Sequence, residues 1–590
     1  MQNLFGNTRR LDAALQFALI AAVVAVFWPV VQADFVHWDD GSLILNNPHL
    51  RLSWANLRWM FTDTSYTQRY LPLGWLSYSV DQTFFHGSAF SYHLGNLLLH
   101  IANTLLVYMI VKRLVQFRAS ASVNSTLALV APATGALCWS LNPLRAEPIA
   151  WASSRIYCVA SLFFFLSLIF YVGRPGANGK VESRHPWLSA FLFGCSLLTY
   201  PIALGGLAVF VLLDIGPLRR LSANPRHWWA LDSRKVWLEK AAFLLPAAIM
   251  FGANLLARFN YPKVYPVVTL HEFGLAARAI QALWVFSWFV WKPWLPIGLA
   301  PKYPDLLTNT PFTVEHIAAA ALVLGITLLL ISRRRVWSGV LIAWMCHLAL
   351  LLPLTGVTEH PHHTFDRYGY IVGAVWAVVI AGTLLRLGES QTAASESLPS
   401  RFQPLTIGLS FALLIATWFG LLAQDQAGIW NNSFSLQTRI AASYGNRPEA
   451  AVHNVKAAEY MMELHRPVEA EVALRRAIAI SPEVPVTWAL LGDALSDQNR
   501  LPEAIPIYQR ALTLDTNLIT VRQSLGVTLG MANRHEEAMA QFAELLRREP
   551  NNASAHRNMA AALHSLGRED EAQKHLAEYR RLQKPKPEKS

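Results

Sequence analysis

Charged residues are scarce in this chain. Of its 590 residues, 15% are Asp, Glu, Lys or Arg, whereas 53% are hydrophobic, and the mean hydropathy is +0.28. Soluble domains carry about 25% charged residues, so this composition excludes a protein that exposes most of its surface to water. We therefore expect an integral membrane protein.

Cysteine is scarce as well. The four cysteines, Cys138, Cys158, Cys195 and Cys346, lie inside apolar stretches, where cysteine behaves as a small hydrophobic residue. This placement excludes a disulfide framework and a cysteine-based zinc site. Together with the short loops it favours a bacterial inner-membrane protein whose outer side is the periplasm.

The net charge of +12 does not indicate a nucleic-acid partner. The basic residues cluster between apolar stretches, as they do in the short cytoplasmic loops of membrane proteins. We therefore use Lys and Arg to orient the spans and expect membrane lipid, with no nucleic acid, around this part of the chain. The basic segments are 9–10, 112–118, 174–184, 219–240 and 333–335.

Apolar runs of sufficient length predict about eleven membrane spans. All five basic segments are cytoplasmic only if the Trp-rich stretch 278–297 does not fully cross; a crossing there would invert the later segments. The N-terminus is then inside, the first run is an uncleaved span, and the C-terminal region is outside. The spans lie at 13–33, 93–111, 127–141, 156–172, 187–214 (a hairpin), 239–257, 315–332, 336–354, 369–387 and 404–424.

A 34-residue period marks the C-terminal region. Glu-Ala pairs recur at Glu469, Glu503, Glu537 and Glu571, which is typical of tetratricopeptide repeats (TPRs). We predict an all-α protein with a membrane domain at 1–430, an α-solenoid of about four repeats at 431–583, and a disordered tail at 584–590. Such an array binds peptides or proteins.

The turn inside each repeat needs a left-handed backbone residue at a helix C-cap. Three of the four residues at this position, Asn499, Asn533 and Gly567, favour that conformation, whereas His465 does not.

The first outer loop, at 34–92, contains two adjacent acids, Asp39 and Asp40. Neighbouring negative charges favour the binding of a proton or a cation, which suits a general base or a cation site. The alternative is that these acids only solvate the loop.

The second outer loop, at 142–155, contains Arg145, Glu147 and Arg155. Charges this close to membrane spans are costly unless they pair or bind something. The two guanidinium groups would suit a phosphate, because they donate planar, bidentate hydrogen bonds. The alternative is a structural Arg–Glu pair.

The third outer loop, at 355–370, contains His360, His362, His363 and Asp366. These side chains would suit a divalent metal ion, the one cofactor that the sequence suggests, or they would only titrate at the membrane surface. Their spacing does not match a strong zinc pattern.

Taken in order, the motifs resemble those of the tetratricopeptide-repeat transmembrane proteins related to protein O-mannosyltransferases. This family looks like the C class of membrane glycosyltransferases (GT-C). The resemblance covers essentially the whole chain. Its motifs are Asp39-Asp40 with Asn46-Asn47-Pro48, Tyr70-x-Pro72-Leu73, Tyr92-His93 through His100, Pro143-Leu144-Arg145-x-Glu147 with Trp151 and Arg155, Leu213-Asp214, Lys302-Tyr303-Pro304, and Asp366-Arg367-Tyr368-x-Tyr370.

The resemblance implies an inverting enzyme that moves a sugar from a polyprenyl-phosphate carrier to a protein Ser or Thr hydroxyl on the noncytoplasmic face. Asp39 or Asp40 would be the base, and the repeats would engage the acceptor protein. We assign the donor phosphate to Arg69, Arg145, Arg155 and Arg367, with Glu147, Asp366 and Tyr368 in support.

The chain departs from this family pattern at several charged positions. Asn142 stands where His is common, Ile156-Tyr157 replaces a Lys-Asp pair, Leu71 replaces Arg near Arg69, and Tyr200 replaces Lys before Pro201. Two other hypotheses therefore remain open. One is a transferase that uses a lipid-linked oligosaccharide donor or an envelope-glycan acceptor, and the other is a membrane-anchored TPR scaffold without catalysis.

Overall fold

The computed structural model describes residues 2–117, 125–175, 181–182, 184–260, 269–303, 313–356, 364–393 and 404–583. These residues are mainly helical, which confirms the all-α prediction, and a two-residue strand pair joins Arg174–Pro175 to Val181–Glu182. The chain divides into two compact units, Met1–Asn432 and Ser433–Ser590. The tail predicted at 584–590 lies outside the described residues.

The first unit contains the apolar helices. Short 3₁₀ turns link several of them and carry the outer-loop motifs, among them Tyr66–Gln68, Pro143–Arg145, Ala152–Ser154 and Asp366–Tyr368. The α-helices are α1 (Gln2–Phe27), α2 (Trp54–Thr62), α3 (Pro72–Phe84), α4 (Ala89–Gln116), α5 (Leu127–Ser140), α6 (Ala146–Ala150), α7 (Arg155–Val172), α8 (Pro186–Thr199), α9 (Gly206–Ile215), α10 (Arg234–Asn260), α11 (Leu275–Trp291), α12 (Val314–Ser332), α13 (Ser338–Leu351), α14 (Gly369–Val372), α15 (Ala374–Ala393) and α16 (Pro404–Gly428).

Six helical segments in the described residues are long and apolar enough to cross a bilayer, and two bent helix pairs would raise that number to eight. The eleven-span count stays a prediction. The stretch 278–297 falls on α11, which ends at Trp291 before Pro293, because proline cannot continue the hydrogen-bond ladder. The six segments are Thr8–Gln32, Ala89–Gln116, Ala152–Val172, Arg234–Ala257, Val314–Ser332 and Pro404–Gly428.

Small residues allow the apolar helices to approach closely. A side chain at Gly135 would collide with the backbone of Ala377, where α5 meets α15. A side chain at Gly205, just before α9, would likewise collide with Ala349 of α13. Such contacts suit membrane helices, whose association depends on close packing rather than on a difference in polarity.

A buried ionic network joins the ends of α7, α9 and α10. The carboxylate of Asp214 accepts hydrogen bonds from Tyr171 (2.5 Å), Lys240 (2.5 Å) and Arg220 (3.0 Å), and Arg220 also pairs with Glu239. A buried carboxylate needs such partners, since an unpaired buried charge is strongly destabilising. The network therefore gives Asp214 a structural role.

An apolar cavity of about 380 Å³ lies between α4, α7, α9, α13 and α15. It is not enclosed on all sides, so a ligand can enter it.

The second unit contains the predicted helix pairs. After α17 (Ser433–Tyr444), four helix pairs follow one another with the 34-residue period. They are α18 (Pro448–Glu463) with α19 (Pro467–Ile480), α20 (Pro485–Asp497) with α21 (Leu501–Leu514), α22 (Ile519–Met531) with α23 (His535–Arg548), and α24 (Ala553–Ser565) with α25 (Glu569–Gln583).

All four turn residues of the repeats adopt a left-handed backbone. Asn499 (φ 58°), Asn533 (φ 60°) and Gly567 (φ 70°) do so as expected. His465 also does so (φ 56°), although its side chain disfavours this conformation. The position in the repeat therefore determines the backbone there more strongly than the residue type.

Candidate active site

The two adjacent aspartates of the first loop have different surroundings. Asp40 is fully buried, and its carboxylate accepts backbone N–H groups from Val36 (2.9 Å) and Ser153 (3.0 Å). Burial raises the pKa of Asp40 to about 6, although these hydrogen bonds oppose the shift. Asp40 thus ties the first outer loop to the second.

Asp39 lies on the accessible side of the same loop. Its side chain is 30% exposed and forms an ion pair with Arg69, whose Nη2 lies 3.2 Å from Oδ2 of Asp39. Burial by itself lowers the pKa of Arg69. The negative charge of Asp39 outweighs this effect, so the pKa of Arg69 is raised and the guanidinium stays protonated. Arg69 follows the 3₁₀ turn Tyr66–Gln68, which directs the chain back toward Asp39.

Arg367 and Glu147 join the second and third outer loops. The carboxylate of Glu147 accepts hydrogen bonds from the guanidinium of Arg367 and from its backbone N–H (2.9 Å). Nε of Arg367 donates to the hydroxyl of Tyr157 (3.0 Å), and the guanidinium stacks 3.7 Å from the ring centre of Phe365. Arg367 therefore has protein partners around most of its charged group.

Asp366 and Tyr368 flank Arg367 in the chain. Asp366 is buried and accepts a hydrogen bond from the hydroxyl of Tyr303 (2.7 Å). Tyr303 also lies against Lys292, whose Nζ is 5.3 Å from the centre of its ring. The ring of Tyr368 lies 5.6 Å from the guanidinium of Arg367.

Two tyrosines connect these groups. The rings of Tyr157 and Tyr200 lie 4.8 Å apart, and both tyrosines and Arg367 lie close enough to Arg69 to affect the pKa of its guanidinium. Arg69 with Asp39 and Arg367 with Glu147 thus belong to one polar cluster, which we call the outer-loop cluster. Tyr157 and Tyr200 were not predicted as site residues, but both occupy positions where the sequence departs from the family pattern.

Arg155 forms its hydrogen bonds with residues that do not belong to this cluster. It forms a buried ion pair with Asp81, and its remaining N–H groups donate to Asn96 (3.0 Å), Ser77 (3.1 Å) and Tyr92 (2.7 Å). Five donors with five or more acceptors leave none for a phosphate. The geometry supports the structural alternative, with Asp81 as the partner in place of Glu147.

Arg145 is buried under Gly373, where any side chain would collide with its guanidinium. Its Nε donates to Trp139 (3.3 Å), while Nη1 has no hydrogen-bond partner among the described residues. The adjoining cavity measures about 20 Å³, which is room for roughly one water molecule and not for a phosphate.

The metal hypothesis falls on residues that the structure does not describe. His360, His362 and His363 lie in the gap 357–363, outside the described residues. Among the residues on either side of the gaps, no group of three or more His, Cys, Asp or Glu side chains is arranged to hold a metal ion.

Comparison with known proteins identifies the repeats and a set of relatives. Two models, each described as Tetratricopeptide repeat, match residues 455–518 and 531–588. The chain is similar to Protein O-mannosyl-transferase TMTC2 from Homo sapiens (25% identity over 259 residues, 41% of this chain and 29% of the relative) and to its counterpart in Mus musculus (27% over 213 residues, 34% and 23%). The matched part spans less than a third of each of these curated relatives.

Two solved structures are also similar to part of the chain. The crystal structure of MamA has 19% identity, covers 27% of this chain and 91% of that chain, and gives a TM-score of 0.25. YrrB, described as a TPR protein with an unusual peptide-binding site, has 19% identity, covers 33% and 92%, and gives 0.24. The repeat models and the curated relatives confirm the resemblance inferred from the motifs: repeats in the C-terminal region and homology, at modest identity and partial coverage, to protein O-mannosyl-transferases.

Proposed function

We propose that this tetratricopeptide-repeat membrane protein, a partial homologue of the TMTC2 protein O-mannosyl-transferases, is a glycosyltransferase. It moves a sugar from a polyprenyl-phosphate carrier to a Ser or Thr hydroxyl of a protein on the noncytoplasmic face. The membrane domain, 1–430, holds the reacting groups, and the repeat domain, 431–583, engages the acceptor. In a bacterium that face is the periplasmic side of the inner membrane.

The accessibility of Asp39 carries this proposal. The carboxylates of Asp40, Glu147 and Asp366 are buried and accept hydrogen bonds from protein groups. Asp39 is 30% exposed, and its only side-chain partner among the described residues is Arg69, which is 35% exposed. A general base must reach the proton that it removes, so Asp39 suits this role better than Asp40 does.

The chemistry follows from the pairing of an acid with a cation. Asp39 removes the proton from the acceptor hydroxyl while that oxygen attacks the anomeric carbon from the side opposite the carrier. The bond between the anomeric carbon and the phosphate oxygen breaks, and its electron pair stays on the phosphate. Arg69 stabilises that charge, and the configuration at the anomeric carbon inverts.

The other groups position these two. Asp40 holds the loop against Ser153, and Arg155 joins the start of α7 to α4 through Tyr92 and to α3 through Asp81. Glu147 fixes Arg367, which forms the other side of the outer-loop cluster. Arg155 and Arg145 therefore act on the shape of the site rather than on the phosphate.

The direct test uses the purified full-length protein in detergent with polyprenyl-phosphate mannose and Ser/Thr peptides. Asp39→Asn should lower transfer by roughly 10²–10⁴-fold, the range for losing a general base, with unchanged thermal stability. Asp34→Asn, at an exposed acid of the same loop, is the matched control and should keep full activity. Transfer by Asp39→Asn at the wild-type rate would refute the base assignment.

Replacing the donor with a lipid-linked oligosaccharide, or the peptide with envelope glycan, tests the related transferase hypotheses.

A non-catalytic scaffold is the second candidate. The observation that favours it is that the guanidinium groups of Arg155 and Arg367 are occupied by protein partners, which leaves Arg69 as the accessible cation among the four arginine candidates. A scaffold predicts that deleting the repeats abolishes function in cells, whereas Asp39→Asn and Arg69→Gln have no effect. A reporter fused after Ser590 tests the side on which the repeats lie.

A further inference from the structure

The 380 Å³ cavity of the first unit is apolar over most of its wall. Its lining consists mainly of Val, Leu, Ile and Phe side chains from α4, α7, α9, α13 and α15. Gly382 of α15 belongs to this lining, and a Cβ added there would meet no atom within 4 Å. The cavity is therefore open space at Gly382 rather than a narrow gap between packed side chains.

The cavity extends along the helices away from the outer-loop cluster. Ile371, at one end of its lining, lies four residues after Arg367, whereas Arg386 and Glu389 line the other end. Arg155 connects the first residue of α7 to the first turn of α4 at Tyr92, beside the loop that carries Asp39. The cavity is lined by α4 from Val107 onward, 18 residues after Ala89, which corresponds to about 27 Å along the helix. A donor whose phosphate reaches Asp39 therefore does not place that phosphate at the end of the cavity lined by Arg386.

Water is an unsuitable occupant for most of this space. A buried water needs two to four polar partners, and the aliphatic lining offers few. The helices around the cavity are embedded in a bilayer, so the surrounding solvent is hydrocarbon. Lipid acyl chains are the bilayer component that matches the apolar lining of this cavity.

The polar end of the cavity carries a cation. Arg386 is an exposed residue of the lining, and its side chain forms no hydrogen bond or ion pair with another residue that the structure describes. Glu389, one turn further along α15, also lines the rim but is already engaged by another group. An unpaired guanidinium at the end of a membrane helix suits a phosphate, which it binds with paired hydrogen bonds.

We propose that this cavity is a lipid site that holds an acyl chain of an anionic phospholipid of the surrounding bilayer, with the lipid phosphate at Arg386. The bound lipid completes the packing between α4, α9 and α15. It is separate from the sugar donor, so the site does not depend on the proposed glycosyltransferase function.

Thermal unfolding of the full-length protein, delipidated in detergent, tests the site. Phosphatidylglycerol added in mixed micelles should raise the Tm of the wild type more than phosphatidylcholine does. Gly382→Phe fills the cavity and should remove this increase. Gly325→Phe is the matched control, because Gly325 lies on exposed α12, outside the cavity lining, and also has no atom within 4 Å of an added Cβ. It should respond like the wild type.

Arg386→Gln is an independent arm, because it leaves the cavity walls intact. It should abolish the preference for phosphatidylglycerol over phosphatidylcholine, and native mass spectrometry should show less phospholipid retained. An equal lipid response in Gly382→Phe and Gly325→Phe would overturn the cavity assignment. An unchanged preference in Arg386→Gln, or retention of polyprenyl phosphate in place of phospholipid, would overturn the assigned occupant.

Discussion

Arg69 lies with its Nη2 3.2 Å from Oδ2 of Asp39 and joins two parts of the first outer loop that are 30 residues apart in the chain. The two side chains are 35% and 30% exposed, so both can reach a substrate. Tyr157 and Tyr200 lie near Arg69, and Tyr157 accepts a hydrogen bond from Arg367. An acid and a cation are thus held together at the only point of the outer-loop cluster, among the described residues, where the paired charges are substantially accessible.

Replacing Arg69 should weaken the use of the donor. Arg69→Gln removes a charged hydrogen-bond donor worth about 1.5–3 kcal/mol, so kcat/KM for a polyprenyl-phosphate sugar should fall roughly 10- to 100-fold. Arg69→Lys should retain more of the wild-type kcat/KM than Arg69→Gln does, since Lys keeps the charge but loses the planar geometry. Steady-state kinetics measure this effect. Arg51→Gln, an exposed arginine of the same loop, should leave the kinetics unchanged, and a normal kcat/KM in Arg69→Gln would exclude Arg69 from donor binding.

The environment of Asp40 predicts a pH-dependent stability. Its folded pKa of about 6 exceeds its ordinary value of 3.8, so its contribution is present in full below about pH 3.8 and is lost as pH rises through 6. The full difference is on the order of 3 kcal/mol. Thermal unfolding between pH 7.5 and 4.5 should show the wild type gaining stability relative to Asp40→Asn as pH falls.

Asp40→Asn should also be less stable at pH 7.5, by about 1–3 kcal/mol, because its amide presents a donor to the backbone N–H of Val36 or Ser153. Asp39→Asn is the control and should gain stability as pH falls, as the wild type does. Parallel pH profiles for the wild type and Asp40→Asn would show that the carboxyl is not the titrating group.

Removal of Arg155 should damage the fold rather than donor binding. Arg155→Met leaves Asp81 as an uncompensated buried charge, which costs about 3–5 kcal/mol, so the yield of folded protein and its Tm should fall. The double variant Arg155→Met with Asp81→Leu should recover part of the loss, because it removes both charges. A stable Arg155→Met protein with selectively weakened donor binding would instead return Arg155 to the phosphate site.

Two glycines on α22 should respond oppositely to alanine. A Cβ at Gly526 would lie 2.6 Å from the ring of Phe542, so Gly526→Ala should destabilise the repeats by about 1–3 kcal/mol. A Cβ at Gly530 meets nothing within 4 Å, so Gly530→Ala should stabilise α22 by up to about 1 kcal/mol. Hydrogen exchange of α22 and α23 in the full-length protein distinguishes the two. Phe542→Leu should relieve Gly526→Ala, and equal protection in both alanine variants would contradict this packing.

The repeats were predictable because their contacts are local and recur. The Glu of each Glu-Ala pair forms an ion pair with the Arg three residues before it, as in Arg466–Glu469 and Arg500–Glu503. The Ala packs where a larger side chain does not fit, and Gly492 and Gly526 each lie under an aromatic ring one period apart. His465 could not be assigned from residue type, because repeat packing imposes its left-handed backbone.

In the membrane unit, the sequence pattern does not predict the surroundings of each charged residue. The order of its motifs was enough to find Asp39, Arg69, Glu147 and Arg367, yet it could not separate Asp39 from Asp40. That difference depends on the backbone N–H of Ser153, which lies 113 residues away in the chain. Two neighbours in sequence thus have opposite environments.

The sequence by itself determined the apolar helices, the 34-residue repeats and the set of charged groups in the outer loops, because each depends on composition or on spacing within one segment. Only the tertiary structure decided which charges are paired. Arg155 is bound to Asp81 and Arg69 to Asp39 because helices and loops distant in the chain pack together, and burial then makes each charge require a partner. The cavity at Gly382 likewise exists only between five packed helices, and the pattern of any one of them does not contain it.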